Sequence, residues 1–423
     1  MTGEANASGR APFRISMCQL AEWARLPTIR HAHFIAPAAL SAIVAGAHIG
    51  RAQASDTSRA FGYREFGARL ALTAISNDAS ATVVVSPLSA GLVLSLASGG
   101  ARGTTATAMT KVLGTATLTT RALADRTAWM LRDAGRRSDV TLEIANGVWV
   151  DTSTTLVPEF TTLAKAYGAA PSRLALSSAN AFATINRWVS SATHGKIDRL
   201  LGQPLDSTTR VFLANALYFK GKWQDEFDKS ATTPRSFTPA AGARIMVPMM
   251  SRTGRYGYAR RNGFQIVRLP YRGDRVAMYV VLPDSGASLE RTAARLADEW
   301  PTTIARANVT DVHVLLPRFH VEQQRDLLPI LGALGMGEAF DCDRADFSGL
   351  GRGRALCIGS ATQRVYVDVG EEGTEAAAAT GLAVVDTSAP PPPREFIVDR
   401  PFLFIIRDES WGADLLVGRV AHP

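Results

Sequence analysis

The chain has 423 residues, 46% of them hydrophobic and 20% charged, which is enough apolar material for a large buried core. That balance excludes a disordered or fibrous chain, and no linker, repeat or charge block divides residues 60 to 423, so one large domain is expected. The formal charge is +8; residues 1 to 54 hold Arg10, Arg14, Arg25, Arg30 and Arg51 against Glu4 and Glu22, a net of +3, which leaves a scattered +5 for the rest and no case for a nucleic-acid partner.

In chain order, Arg25 and Arg30 precede an apolar stretch, Phe34 to Ile49, that ends in Arg51-Ala52-Gln53-Ala54, an A-x-A cleavage pattern. Residues 1–54 are read as an export leader cut after Ala54, and 55–423 as the mature domain, secreted or periplasmic; Met17 is an alternative start. His33, Pro37 and His48 interrupt the apolar run short of the roughly 20 residues a membrane span needs, so no membrane association is expected once the leader is gone. Cys18 falls in the leader. Cys342 and Cys357 remain; an oxidising compartment would let them pair, although one pair is not a disulfide framework and the pairing stays open. Arg outnumbers Lys 40 to 6, a compositional sign of a GC-rich, bacterial-type genome.

Tyr63 to Ile75 has helical periodicity, and Ser86-Pro87 opens a second helix with Ser as N-cap and Pro at its first position. That helix, Leu88 to Ala97, is apolar nearly all round and should be buried on every side. Further helices are expected at Thr104 to Leu113, Thr119 to Ala134, Pro158 to Tyr167 and Asn180 to Ser191. Arg121, Arg126, Arg132, Arg136 and Arg137, interrupted by Asp125 and Asp133, read as a solvated helix face rather than a polyanion site. β-Branched and aromatic runs then predict strands at Val140 to Val150, Arg210 to Phe219, Phe264 to Pro270, Val276 to Leu282, Val312 to Phe319, Arg364 to Val369, Phe402 to Ile406 and Leu415 to Val420. Helices first and strands later make an α+β fold rather than alternating βαβ units.

Catalytic signatures are absent: no G-x-S-x-G elbow, no G-x-x-x-x-G-K-[ST] loop and no H-E-x-x-H helix occurs. Of the histidines outside the leader (His194, His313, His320, His422), His313 and His320 have opposite parity on their expected strand and cannot share a face as metal ligands. Gly349, Gly351 and Gly353 lack the strand-then-helix setting of a phosphate loop. No nucleophile, metal or cofactor is expected, and the protein is not read as an enzyme.

The stretch EEGTEAAAAT, residues 371 to 380, carries a conflict. Ala376 to Ala379 favour helix, yet the segment comes after a strand-like run and leads toward Leu382 to Val385 and Pro390 to Pro393. Written with period 2, Thr374, Ala376, Ala378, Thr380, Leu382 and Val384 share one face, and Glu375, Ala377, Ala379, Gly381 and Ala383 the other. Small side chains let such a segment enter between two strands without overpacking a dense interior, which costs on the order of 1–3 kcal/mol per misfit.

With EEGTEAAAAT, the runs SPLS at 86–89, GARGTTATAM at 100–109, LEIAN at 142–146, NALYFKGKW at 215–223, DRPFLFIIRD at 399–408 and GRV at 418–420 resemble the serpin family, in order, across Phe61 to Pro423. The resemblance implies three β-sheets, about nine helices and an exposed reactive-centre loop, about 371–395 in this sequence. It also implies a mechanism. A serine protease attacks the loop, forms an acyl-enzyme, and is trapped as the cleaved loop inserts into the large sheet of a metastable fold. The implied hinge is Glu371, Glu372, Gly373, Thr374, Glu375, Ala376, Ala377, Ala378, Ala379 and Thr380; the implied shutter is Ser86, Ser89 and Asn215, with Gln363 where the family usually has histidine; the implied breach is Trp223 with an Arg318–Glu371 ion pair. Sixteen residues on from Glu371 stands Thr387, so Thr387–Ser388 is the expected scissile bond, with Val385 and Asp386 as alternatives. A small residue there suits an elastase-like or subtilisin-like protease. A monomeric inhibitor is the leading expectation; a non-inhibitory serpin acting as a binding or chaperone-like protein is the alternative, and hinge composition discriminates them, since bulky, charged or proline residues at 374 to 380 would block insertion.

Overall fold

A computed structural model describes residues 63–76, 81–353, 355–374 and 392–423. The expected leader, Glu375 to Thr380, Val385, Asp386 and the Thr387–Ser388 bond lie outside the described residues.

Each helix arises from its caps and pattern. Helix α1 (Arg64–Ser76) turns Phe66, Leu70, Ala74 and Ile75 inward, the i, i+4, i+8 spacing of one buried stripe. In α2 (Pro87–Gly100) Ser86 accepts a hydrogen bond from the Ser89 N–H, Pro87 occupies the first turn, and the helix is buried on nearly every side, packed against both large sheets. Helix α3 (Gly103–Leu113) ends on Gly114 at φ 69°, a left-handed stop. Thr119 and Ser178 cap α4 (Thr120–Ala134) and α6 (Ala179–Ala192), with α5 (Pro158–Ala166) between them. Helix α7 (Leu289–Ala305), capped by Ser288, is absent from the sequence-based expectations, because its charges and Pro301 mask the buried stripe of Leu289, Ala293, Leu296 and Trp300; the short α8 (Leu328–Leu331) is absent from them too. Eight α-helices stand among the described residues against about nine expected.

Three sheets form. The nine-stranded sheet comprises β1 (Val83–Val85), β6 (Thr233–Phe237), β7 (Ile245–Arg261), β8 (Phe264–Pro270), β9 (Val276–Pro283), β10 (Asn308–Pro317), β15 (Arg394–Ile397), β16 (Phe402–Asp408) and β17 (Ala413–Val420). Its order is β1-β17-β16-β9-β8-β7-β10-β15, with β6 on β7. The six-stranded sheet comprises β2 (Val140–Asp151), β4 (Ser172–Leu174), β5 (Val211–Lys222), β11 (Phe319–Asp326), β13 (Ile358–Gly370) and β14 (Gly373–Thr374), in the order β11-β13-β14-β5-β2-β4. β3 (Thr155–Leu156) and β12 (Gly351–Arg352) make the third, a two-stranded pair.

Several expectations need correction. Val312 to Phe319 is not one strand: the chain breaks at Arg318 and passes from β10 in one sheet to β11 in the other, so His313 and His320 are separated by sheet, not by face. β7 escapes a reading by pattern because Pro248, Gly254, Gly257 and four arginines interrupt it. Arg137 is no part of a solvated face; beyond the end of α4 its side chain is buried against Asp139 and Asp408 and lies over the Trp411 ring. His313 sits between Ser251 (3.1 Å) and Glu395 (2.9 Å), joining β7, β10 and β15. Cys342 and Cys357 are bonded, with Cα atoms 4.7 Å apart. Among the described residues no group of three or more His, Cys, Asp or Glu is placed to hold a metal ion.

Candidate functional site: a seam in the six-stranded sheet

β13 and β5 run parallel and pair directly from Ile358–Val211 to Tyr366–Tyr218. Beyond Tyr366 they part, and β14 lies between them: Thr374 pairs with Val369 of β13 and Gly221 of β5, while Gly373 pairs with Gly370 and Lys222. Both contacts of β14 are antiparallel. The chain therefore turns back at Glu371-Glu372 and begins a new strand inside the sheet.

Beneath the seam, at the N-terminus of α2, the four residues expected in a shutter meet in one buried network. The Gln363 side chain accepts from the Ser86 N–H at 2.8 Å and donates to the Ser86 carbonyl at 3.0 Å and to Asn215 Oδ1 at 3.1 Å. Ser89 Oγ donates to the same Asn215 Oδ1, and Asn215 Nδ2 donates to the Ser89 carbonyl (3.0 Å) and Asn146 Oδ1 (3.0 Å). Ser86, Ser89, Asn215 and Gln363 are 0–1% exposed. Every one has a partner, which is what keeps a buried polar cluster from costing stability. Asn146, which ends the LEIAN run, is a further member that the motif alone does not assign; its own amide continues the network to the Tyr167 carbonyl at 3.2 Å. Gln323, also unassigned by sequence, holds the next strand by accepting from the Val84 N–H at 2.8 Å.

Gln363 supplies the donor and acceptor of a histidine without a titratable group. Gln363→Ala should destabilise the fold by about 2–4 kcal/mol, because it leaves the buried Ser86 N–H unpaired and opens a small void; urea unfolding measures it. Gln363→His should acquire a pH dependence between about pH 5 and 8 that the parent network lacks. A flat difference between His variant and parent over that range would count against this account of the network.

At the open end of the seam the breach residues also meet. The Trp223 indole, 1% exposed, donates from Nε1 to the Gly370 carbonyl at 2.9 Å and stacks on Tyr271 with ring centroids 4.6 Å apart. Tyr271 OH bonds Thr374 Oγ1 at 2.7 Å, and burial holds the Tyr271 phenol far above its ordinary range, so it stays neutral. Arg318 Nε reaches both Glu371 oxygens at 2.8 and 2.9 Å, and the Thr232 hydroxyl donates to Glu371 Oε1 at 2.6 Å. Burial alone would raise the Glu371 carboxyl; the bonds from Arg318 and Thr232 outweigh it and hold the group below the ordinary carboxylate range. Tyr271, Thr232 and Lys229, which bonds Glu372, carry no local sequence signal; only the fold brings them here.

The sign of the Glu371 effect is fixed. A depressed folded pKa contributes stability above the unfolded value near 4.5 and loses it as pH falls through the folded value. The stability difference between parent and Arg318→Gln should accordingly be present at pH 7 and shrink toward zero near pH 3. Urea melts of both proteins at the two pH values check it; an equal gap at both would mean that the pair adds nothing through ionisation.

The hinge departs from expectation in one respect. Its first four residues are not in an exposed loop: Glu371, Glu372, Gly373 and Thr374 are buried, and Gly373–Thr374 are already strand. Gly373 permits it: at φ 142° a Cβ would strike the Gly221 carbonyl, so only glycine brings the backbone this close to β5.

A strand of the chain's own hinge wedged at the top of a seam, with a polar cluster at the strands' lower crossing, invites comparison with known proteins. The family model Serpin (serine protease inhibitor) matches residues 62–423. The chain belongs to the serpin family. It is 34% identical to Serpin-Z7 of Hordeum vulgare, over 85% of this chain and 94% of that one, and 33% identical to the leukocyte elastase inhibitor of Homo sapiens, over 85% and 97%. Among solved structures, the thermophilic serpin tengpin in its native state superposes with a TM-score of 0.81 at 26% identity, covering 89% of this chain and 96% of that one. Serpin48 of the insect Tenebrio molitor superposes with 0.76 at 30%, covering 88% and 100%. Serpins are a family of protease inhibitors, not catalytic enzymes.

Proposed function

We propose that this serpin is an exported, monomeric, irreversible inhibitor of serine proteases that works by loop insertion. The observation carrying the reading is β14: the seam between β13 and β5 already accepts the first hinge residues, and beyond Glu375 the next ones, Ala376 to Thr380, are small enough to continue the same strand. The protease serine adds to the Thr387 carbonyl, the Ser388 amine leaves, and an ester joins protease to Thr387. Zippering of residues 375 onward between β13 and β5 then carries that ester toward the far end of the sheet. Inhibition results when insertion outruns hydrolysis of the ester.

The small residue proposed at the cut suits an elastase-like or subtilisin-like target, and the named activity of the human relative, a leukocyte elastase inhibitor, supports the same class. The target class is tested by incubating residues 55–423 with elastase-like, subtilisin-like, aspartate-specific and trypsin-like proteases and sequencing the released peptide. A peptide beginning at Ser388 from an elastase-like or subtilisin-like enzyme is expected. Release only by an aspartate-specific enzyme would move the bond to Asp386, and trapping of trypsin-like enzymes alone would overturn the assignment.

A further inference from the structure

Where β7, β10 and β15 lie side by side, Ser251, His313 and Glu395 share one face of the nine-stranded sheet. Glu395 Oε2 stands 2.9 Å from His313 Nδ1, and Ser251 Oγ stands 3.1 Å from His313 Nε2. The chemistry of the three groups fixes the direction of donation. A carboxylate only accepts, so the ring proton of neutral His313 belongs on Nδ1, and the Nε2 lone pair is left to accept from the Ser251 hydroxyl. A serine whose proton points at an imidazole held in that tautomer by a carboxylate is an activated nucleophile, recognised by geometry and not by sequence position. His313 lies 62 positions from Ser251 and 82 from Glu395, so no local motif contains the set. The His313 and Glu395 side chains are 27% and 56% exposed and Ser251 is partly exposed, which leaves the group open to molecules from solution.

A donor for a developing oxyanion stands on the same residue. The Arg318 N–H donates to the Pro248 carbonyl at 3.0 Å, so Pro248 and the alternate residues after it turn their backbone groups toward β10, while Ser251, one out of phase, turns its N–H to the opposite edge of β7. That edge is open there: pairing with β6 ends at Met249, and pairing with β8 begins at Gly257. Among the described residues nothing accepts the Ser251 N–H. We propose that Ser251 is the nucleophile of a slow acyl-transfer site, with His313 as general base and Glu395 as its positioning residue, acting on uncharged esters of short carboxylic acids. Leu315 and Ile397 continue the Ser251 row across β10 and β15 and give a short acyl chain an apolar surface, whereas Glu395 disfavours an anionic one. The Ser251 proton passes to His313 Nε2 as Oγ bonds the ester carbonyl carbon, and the carbonyl oxygen takes the charge that the Ser251 N–H meets. The bond to the alcohol oxygen then breaks, the alcohol leaves with the proton from His313, and water releases the acid from the serine by the same route. This is an activity of the chain's own surface, apart from that of its family, and it does not rest on the inhibitory reading.

The test follows p-nitrophenyl acetate hydrolysis by the full chain and, separately, maps the peptide labelled by a fluorophosphonate, whose fluoride the serine oxygen displaces. Hydrolysis faster than by equimolar free imidazole is expected, with the adduct on Ser251. Ser251→Ala should lose the adduct and at least about tenfold in kcat/KM. Glu395→Gln should lower kcat by about tenfold or more with KM little changed, because an amide lets the ring carry its proton on Nε2, facing Ser251. A purely structural tie between the strands would move neither the label nor kcat alone. Hydrolysis no faster than by imidazole, or an adduct only at other residues, would overturn the proposal. So would full activity in Ser251→Ala with loss in His313→Ala, the mark of a histidine acting by itself, and so would an unchanged kcat in Glu395→Gln.

Discussion

Cleavage of the loop within residues 383 to 388 should raise the melting temperature by on the order of 10 °C or more. Thr374 is already buried, so the gain comes from the residues after it. Ala376, Ala378, Thr380, Leu382 and Val384 share its face and would be carried into the seam. Burying a leucine or valine contributes roughly 1.5–3 kcal/mol, and each new ladder hydrogen bond a net of about 0.5–1.5 kcal/mol. Set against these, ordering each newly inserted residue costs about 1–2 kcal/mol in backbone entropy, a cost already met at Gly373 and Thr374. β13 and β5 exchange a parallel contact for two antiparallel ones, the arrangement already present where β14 lies. Limited proteolysis and a calorimetric melt measure the change. An unchanged or lowered melting temperature would mean that the uncleaved chain holds no stored free energy.

Thr374→Arg should convert the protein from inhibitor to substrate. Thr374 is 1% exposed, flanked by Val369 and Gly221 and bonded to the neutral Tyr271 phenol; nothing within that contact set carries a negative charge. An arginine would bring an unpaired cation into the seam at a cost of several kcal/mol. Because β14 is seated before cleavage, the substitution acts twice. It expels the hinge from the uncleaved protein, and it obstructs re-entry after acylation, so hydrolysis of the ester overtakes insertion. The number of inhibitor molecules consumed per protease inactivated should rise tenfold or more, while the rate of loop cleavage is unchanged or faster. Inhibition at parental stoichiometry would show that Thr374 does not pass through the seam.

Motif-bearing residues are legible from sequence because their local patterns report their surroundings. Ser86-Pro87 announces a capped helix, and the apolar circumference of Leu88 to Ala97 announces its burial on all sides; both hold in α2. Ser86, Ser89, Asn215 and Gln363, grouped by the resemblance, lie in one hydrogen-bonded network, and Trp223, Arg318 and Glu371 lie around the open end of the seam. Long-range pairing hides the rest. β7 is a strand because β6, β8 and β10 hydrogen-bond to it, which overrides its glycines, proline and arginines. The break at Arg318 has no turn residue of its own; it arises because Arg318 faces Glu371 while Pro317 and Phe319 are claimed by different sheets. The seating of Gly373 and Thr374 depends on Tyr271, a residue 102 positions before Gly373, and no period-2 reading of the hinge contains that contact.

The claim that insertion traps the protease is tested most directly by incubating residues 55–423 with an elastase-like enzyme at roughly equimolar ratio and resolving the mixture in SDS after denaturation. The account predicts a band at the summed mass of the protease and the loop-cleaved serpin, formed in proportion to lost activity and abolished in Thr374→Arg. Complete conversion to cleaved serpin with full protease activity and no such band, for every elastase-like and subtilisin-like enzyme tried, would contradict it.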